Sequence, residues 1–228
     1  NGGAAKFGGS AMGGAVNFLL AEPMNNYAEV SYGKSAYNGS LKSFELGFRN
    51  SLSTVFVGFW EDEADNYYPH KISNTEIGYY NGVDHIRSEK QIGGTFFIPN
   101  LKLKWLYKRN ENSAGVGHAT GDSRPFSKGI TRQGDSTHFV LAKLSYELDS
   151  LFNISLTYGF TGSRLVFSRV NRYDNLQHTI KLDLHRQFQG IYADFGLEHT
   201  NANLDGIIYG IKPMQANLEI KSAYLTLG

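Results

Sequence analysis

The chain has 228 residues and carries 22 Lys or Arg against 21 Asp or Glu, a formal net charge of +1. This balance argues against a nucleic-acid surface built on a strong basic excess, so no nucleic-acid partner is expected. Its 26 glycines, 14 tyrosines and 15 phenylalanines, with 5 prolines and no cysteine, favour aromatic strands separated by glycine-bearing turns. The lack of cysteine excludes disulfides and thiolate-ligated metal sites.

The first 23 residues form a head rich in glycine and alanine, unlike everything after it. Gly9 to Gly14 is not followed by the Lys-Ser/Thr pair of a phosphate-binding loop, and no alternating strands and helices follow to support a dinucleotide fingerprint. One interpretation of the head is a flexible linker. The other is a packed segment, in which the glycines permit close backbone approach and Asn17 forms hydrogen bonds in confined polar surroundings.

Segments that alternate apolar and polar residues recur from Tyr27 onward. Between Phe152 and Phe160 the even-numbered residues are apolar or aromatic and the odd-numbered ones are Asn, Ser, Thr and Gly. This period of two predicts strands with one apolar and one polar face. We count about ten such strands, each near the roughly 9 to 11 residues that cross a bilayer when tilted. No stretch approaches the roughly 18 apolar residues of a membrane-spanning helix.

The predicted connections alternate between tight turns and long polar segments. Tight turns are expected at Asn50-Ser51, Pro99-Asn100, Asp149-Ser150 and Gln189-Gly190. Long connections are expected at Glu61 to Ile86, Asn112 to Ser136, Gly162 to Asn175 and Asn201 to Met214. Outer-membrane barrels place short turns in the periplasm and long loops outside. A soluble β-sandwich, the alternative, explains the strand alternation equally well but gives no reason for long loops at one end.

The head resembles the end of the plug domain in TonB-dependent outer-membrane receptors. In that family an alanine stretch, an aromatic residue, Gly-Ser, Gly-Gly and an Asn with apolar neighbours lead to the first barrel strand. The matching residues are Ala4, Ala5, Phe7, Gly8, Ser10, Ala11, Met12, Gly13, Gly14, Val16, Asn17, Phe18 and Leu19. Residues 27–34, YAEVSYGK, are similar to the first strand. Two departures are Phe7 in place of the usual tyrosine and Gly9 before Ser10.

The resemblance implies an all-β fold: an antiparallel transmembrane β-barrel wall of about ten meander strands in the bacterial outer membrane, part of a larger barrel. Residues 1–23 would be the C-terminal end of a plug domain and residues 24–228 the N-terminal part of the barrel. The plug-to-barrel motif would comprise Gly8, Ser10, Gly13, Gly14 and Asn17. Since further strands would close the barrel, the sheet formed by this chain is expected to be open and to have two bare edges.

As to function, the resemblance implies energy-coupled uptake of a scarce ligand, such as a ferric siderophore, cobalamin or haem. The expected partners are outer-membrane lipid, a small-molecule metal chelate and a TonB energy-coupling complex that acts through a segment upstream of this chain. The alternative is a passive porin or another plug-free barrel. Packing of residues 1–23 inside the lumen would distinguish the two.

Candidate ligand contacts lie in the first two long connections, where aromatic rings can stack on a flat ligand and basic groups can meet an anionic chelate. They are Tyr67, Tyr68, His70, Tyr79, Tyr80, His85, His118, Arg124 and Arg132. Solvated loop side chains are the alternative interpretation. Asp62, Glu63 and Asp65 lack the glycine and final glutamate of an EF-hand, so no metal site is predicted.

Catalytic motifs such as GxSxG and HExxH do not occur, and the histidines and carboxylates are scattered. Together with the resemblance to a receptor family, these observations predict that the protein is not an enzyme and uses no cofactor. An outer-membrane hydrolase is the alternative.

Overall fold

The computed structural model describes residues 22–36, 38–64, 68–71, 77–80, 85–115, 132–167, 171–188, 190–208 and 212–228. Its strands are β1 (Tyr27–Ser35), β2 (Gly39–Arg49), β3 (Ser53–Ala64), β4 (Tyr68–Lys71), β5 (Ile77–Tyr80), β6 (His85–Ile98), β7 (Leu101–Gly115), β8 (Arg132–Asp149), β9 (Phe152–Phe167), β10 (Asn171–Phe188), β11 (Ile191–Ile208) and β12 (Lys212–Leu227). Across these ranges, no helix has the length and apolar character needed to cross a membrane.

Ten of the strands form one antiparallel meander in the order β1-β2-β3-β6-β7-β8-β9-β10-β11-β12, and β4 pairs with β5 in a separate hairpin. The prediction of an all-β fold with about ten meander strands is confirmed. The small hairpin inside the first long connection was not predicted. Within the described residues β1 pairs only with β2, and β12 only with β11, so the sheet is open at two edges.

Four tight turns join strands at one end of the sheet, which we call the turn end; the opposite end is the loop end. These turns lie between β2 and β3, β6 and β7, β8 and β9, and β10 and β11, where they were predicted. The Asn50 side chain accepts hydrogen bonds from the backbone N–H groups of Leu52 and Ser53. Asn100 and Gly190 adopt the positive φ angles of 62° and 79° that tight turns use.

The last two predicted long connections are wrong. Only residues 168–170 separate β9 from β10, and only residues 209–211 separate β11 from β12. Strands β8 to β12 have 16 to 18 residues, more than the predicted length, because polar cross-strand pairs continue the ladder past the apolar positions. For example, Arg164 on β9 and Asp174 on β10 are register partners and form an ion pair of 2.6 Å.

The register of the strands places their alternating apolar residues on one face of the sheet. One row of paired residues across β7 to β11 consists of leucine alone: Leu103, Leu144, Leu156, Leu182 and Leu197. We call this side the apolar face. The other side, which carries the intervening Lys, Ser, Thr and Asp residues, is the polar face. Since side chains alternate along a strand, the pattern predicted from the sequence fixes this division.

The buried side chains of the sheet lie on the polar face. Among the described strand residues they are Thr54, Phe56, Ala64, Thr95, Ser155, Asp194 and Thr200. A flat sheet would leave its two faces equally open, so this one-sided burial indicates that the sheet curves with the polar face inside. The apolar face is instead exposed, as in Leu156 at 47% and Leu197 at 44%.

Glycines on the polar face lie beneath aromatic rings of the neighbouring strand. Tyr27 pairs in register with Gly47, and Tyr224 pairs with Gly196. A Cβ atom on either glycine would overlap the ring above it. The missing side chains thus make room for large rings on the inner side of a curved sheet, which partly explains the high glycine content.

Candidate functional site

The apolar face ends in charged or imidazole side chains toward the loop end. The first such residue on each strand from β2 to β12 of the main sheet is Lys42, Glu61, Lys90, Arg109, His138, Arg164, His178, His199 and Lys221. Together they mark one border of an apolar band.

This border crosses the sheet obliquely. The register row that contains Lys42 reaches β12 at Gln215, whereas the border residue on β12 is Lys221, six residues away. Six residues of about 3.3 Å each, over eight strand spacings of about 4.8 Å, correspond to a tilt of about 27°. Strands that are tilted against a planar apolar slab produce this slant.

The border at the turn end slants in the same direction. Phe48 is the apolar-face residue of β2 nearest the turn end, and its register row reaches β11 at His199. The apolar-face residue of β11 nearest the turn end is Ile191, eight residues from His199. On β9 the band runs from Phe152 to Phe160, which is about 26 Å along the strand and about 24 Å along the slab normal at that tilt. Outer-membrane barrels carry an apolar band about 25 Å tall.

Tyrosine–histidine pairs lie along the border at the loop end. The Tyr107 hydroxyl is hydrogen-bonded to His138 Nδ1 at 3.1 Å, and the Tyr158 hydroxyl to His178 Nδ1 at 3.0 Å. The His178 ring also lies 5.0 Å from the ring of Phe160, centroid to centroid. Each pair presents an apolar ring toward the band and polar atoms away from it, which suits an interface between hydrocarbon and water.

On the polar face, Glu22 binds three side chains of the sheet. Its Oε1 atom accepts hydrogen bonds from Lys104 Nζ at 2.7 Å and Thr95 Oγ1 at 3.1 Å, and lies 3.5 Å from Lys102 Nζ. Burial raises the pKa of the Glu22 carboxyl, but the hydrogen bonds and the two lysine charges outweigh that effect and hold it below its ordinary value.

Arg49 fixes the same segment near the turn end. Its guanidinium donates to the Pro23 carbonyl oxygen at 3.3 Å, and its backbone N–H donates to Asn26 Oδ1 at 2.7 Å. Arg49 belongs to the polar face, as do Thr95, Lys102 and Lys104. Residues 22–26 therefore lie on the inner side of the curved sheet immediately before β1 begins.

A second polar cluster occupies β10 to β12. Tyr224 donates a hydrogen bond to Asp183, and Lys181 Nζ lies 3.3 Å from Asp183 and 5.2 Å from the centre of the Tyr224 ring. His185 Nδ1 contacts Asp194 Oδ1 at 2.6 Å. Among the described residues, no group of three or more His, Cys, Asp or Glu side chains is arranged to hold a metal ion. The charged and polar groups of this cluster are paired with one another on and between neighbouring strands.

Most residues of the predicted site fall outside the described residues: Gly8, Ser10, Gly13, Gly14, Asn17, Tyr67, His118 and Arg124. Others are described only in their backbone, namely Tyr68 and His70 on β4, Tyr79 and Tyr80 on β5, and Arg132 at the start of β8. Register pairs Tyr68 with Tyr80.

His85 is the member of the predicted ligand set whose side chain is described. It begins β6, and its Nε2 lies 3.0 Å from Asp62 Oδ2 on the neighbouring strand β3. This contact joins two strands of the wall at the loop end of the polar face.

Sequence reasoning missed the set formed by Glu22, Thr95, Lys102 and Lys104. In the sequence the two lysines are simply the polar residues that alternate with Leu101, Leu103 and Trp105. Their spacing carried a usable signal, because like charges two residues apart on one strand face repel each other unless an anion lies between them. Nothing in the sequence indicated that the anion is Glu22.

No protein-family model matches the chain, and no curated protein matches it. Among solved structures the chain is similar to the outer-membrane expressed OmpT of Vibrio cholerae, with 11% identity and a TM-score of 0.47 over 90% of this chain. The match spans 62% of OmpT, less than two thirds of its length. The likeness concerns the antiparallel arrangement of strands and gives no support for a TonB-dependent receptor or a plug.

The prediction that the protein is not an enzyme is corrected. It rested on the resemblance to a receptor family and on missing sequence motifs, and neither of these excludes catalysis. Side chains placed on a fold, and not the fold itself, decide whether catalysis occurs.

Proposed function

We propose that the chain forms part of the wall of an outer-membrane β-barrel, with its apolar face toward lipid and its polar face toward the lumen. The observation that carries this proposal is the oblique apolar band, whose tilt and height suit strands crossing a bilayer. A soluble sandwich would need a second sheet over the apolar face. The main sheet has no such companion in the parts of the chain that the structure describes.

Within that barrel, we propose the role of a TonB-dependent receptor that imports a scarce ligand, such as a ferric siderophore, cobalamin or haem. The sequence of the head supports this role. The contacts of Glu22 and Arg49 support it as well, because they hold the chain before β1 against the lumen side of the wall, where a plug would connect. A passive porin needs no segment at that place and is the alternative.

Conductance of the natural full-length protein in a planar bilayer tests the plug. A plugged receptor is expected to show no steady conductance, whereas a variant that lacks every residue before Glu22 should open a large pore. A passive porin would conduct in both forms, and that result would refute the receptor role.

Uptake by intact cells tests the energy coupling. We expect accumulation of the imported ligand to stop when a protonophore collapses the proton gradient and to resume when the protonophore is removed. Uptake that continues at the same rate without the gradient would favour the passive alternative. It would not contradict the proposal that the chain forms part of a barrel wall.

A further inference from the structure

Three donors from two neighbouring strands converge on a single carboxylate oxygen. Thr95 Oγ1 on β6 and the Nζ atoms of Lys102 and Lys104 on β7 lie 3.1, 3.5 and 2.7 Å from Oε1 of Glu22. All three donors belong to the wall, whereas the acceptor belongs to the segment before β1. We call the three donor side chains the oxyanion cradle.

The sheet fixes the strand positions from which the cradle side chains extend. Thr95 has no exposed surface and is the register partner of Lys104. Lys102 is the register partner of Phe97, and its Nζ lies 4.9 Å from the centre of that ring. The sheet therefore fixes the backbone positions of all three donors, and the Phe97 ring gives the Lys102 ammonium group a contact that does not depend on Glu22.

Lys102 and Lys104 lie two residues apart on the same face of β7, so their ammonium groups would repel each other if no anion lay between them. Lys102 and Lys104 are 39% and 34% exposed, so the polar face keeps both ammonium groups accessible from the inside. An oxyanion between them removes their repulsion and also accepts the hydroxyl hydrogen of Thr95. A neutral ligand can accept the Thr95 hydrogen bond, but it leaves the repulsion between the two lysines in place.

We propose that the oxyanion cradle is a binding subsite for a carboxylate or phosphate group of the transported ligand. Glu22 occupies it as a built-in competitor until the segment before β1 is displaced. This proposal rests on the proposed function, since a ligand reaches the polar face only if that face lines the lumen. When the plug moves, the oxyanion cradle of the wall thereby becomes available to an anionic ligand.

Binding of inorganic phosphate to the purified full-length protein in detergent tests the cradle, with calorimetry as the measurement. Glu22→Ala is expected to tighten phosphate binding about tenfold, the factor for a competitor that fills the site about nine-tenths of the time. Adding Lys104→Met or Thr95→Val to Glu22→Ala should abolish the gain.

Lys108→Met in the Glu22→Ala background is the matched control. Lys108 lies on the same strand and face but is paired with Glu89 at 2.8 Å, outside the cradle. Removing its charge should leave the tenfold gain intact. Heat-modifiable migration in electrophoresis reports that each variant is folded, so that lost binding is not mistaken for lost structure.

Two results would overturn the cradle: a folded Glu22→Ala protein that binds phosphate no better than the parent, or an equal loss from Lys108→Met and Lys104→Met. Phosphate binding in detergent needs no proton gradient. A protein that passes this test but conducts passively keeps the cradle and loses the receptor role. One that imports by energy coupling but fails the phosphate test loses the cradle alone.

Discussion

Ser155 and Leu156 are neighbours on β9 that face opposite sides of the sheet, and Ser155 is 5% exposed while Leu156 is 47% exposed. Leu156 lies in the middle of the leucine row, between Leu144 and Leu182. Ser155 lies beside Asp183 on the polar face. In a soluble protein, the serine would be expected at the surface and the leucine inside.

Leu156→Arg should destabilise the full-length protein in a bilayer far more than Ser155→Arg. A charge at the bilayer midplane costs about 2 to 4 kcal/mol on the lipid face, whereas an arginine at position 155 would point into the lumen near Asp183. The folded fraction after insertion into lipid vesicles, read from heat-modifiable migration, measures the difference. Equal losses for the two variants would contradict the assignment of the faces.

Gly196→Ala should destabilise the wall by about 1 to 3 kcal/mol, because the new methyl group displaces the Tyr224 ring and its hydrogen bond to Asp183. Gly33→Ala is the matched control, since its Cβ would meet only the Leu41 Cβ at an ordinary 3.8 Å. Urea unfolding monitored by circular dichroism gives both free energies of unfolding. A Gly196→Ala protein as stable as Gly33→Ala would show that the ring packing is unimportant.

Acid should release residues 22–26 from the polar face. The pKa of Glu22 is lowered in the folded protein, so its ion pairs stabilise the segment above the ordinary value of 4.5 and are lost as the pH falls through the lowered pKa. Spin labels on Met24→Cys and Asn153→Cys should give a narrow distance distribution at neutral pH that broadens in acid, below pH 4.5.

Glu22→Gln supplies the control for this release. The amide carries no charge at any pH, so the distance distribution should be broad at neutral pH and change little on acidification. A parent protein whose distribution stays narrow after Glu22 is protonated would show that Arg49 and the backbone contacts hold the segment by themselves.

The two ends of the sheet should lie on opposite sides of the outer membrane. Single cysteines introduced by Ser150→Cys, at the turn end, and Asp122→Cys, between β7 and β8, suit the cysteine-free parent. An impermeant thiol reagent applied to intact cells should label position 122 and spare position 150. Labelling at position 150 alone would reverse the orientation of the barrel.

The sequence by itself determined the ten strands of the main sheet, their two faces and the four tight turns. These are local properties: alternation such as that from Phe152 to Phe160 defines a face within one strand. Turn residues such as Asn100 and Gly190 carry the required backbone conformation themselves. The division into an apolar and a polar face then follows, because adjacent side chains on a strand must point to opposite sides.

The tertiary structure decided where the strands end, how the apolar band slants and what Glu22 binds. Arg164 and Asp174 extend β9 and β10 as a cross-strand pair, although each alone resembles a loop residue. The slant depends on the register of every strand pair, and Glu22 meets Lys104 across 82 residues of chain. Such relationships arise from pairing between distant segments, which the local pattern of residues does not encode.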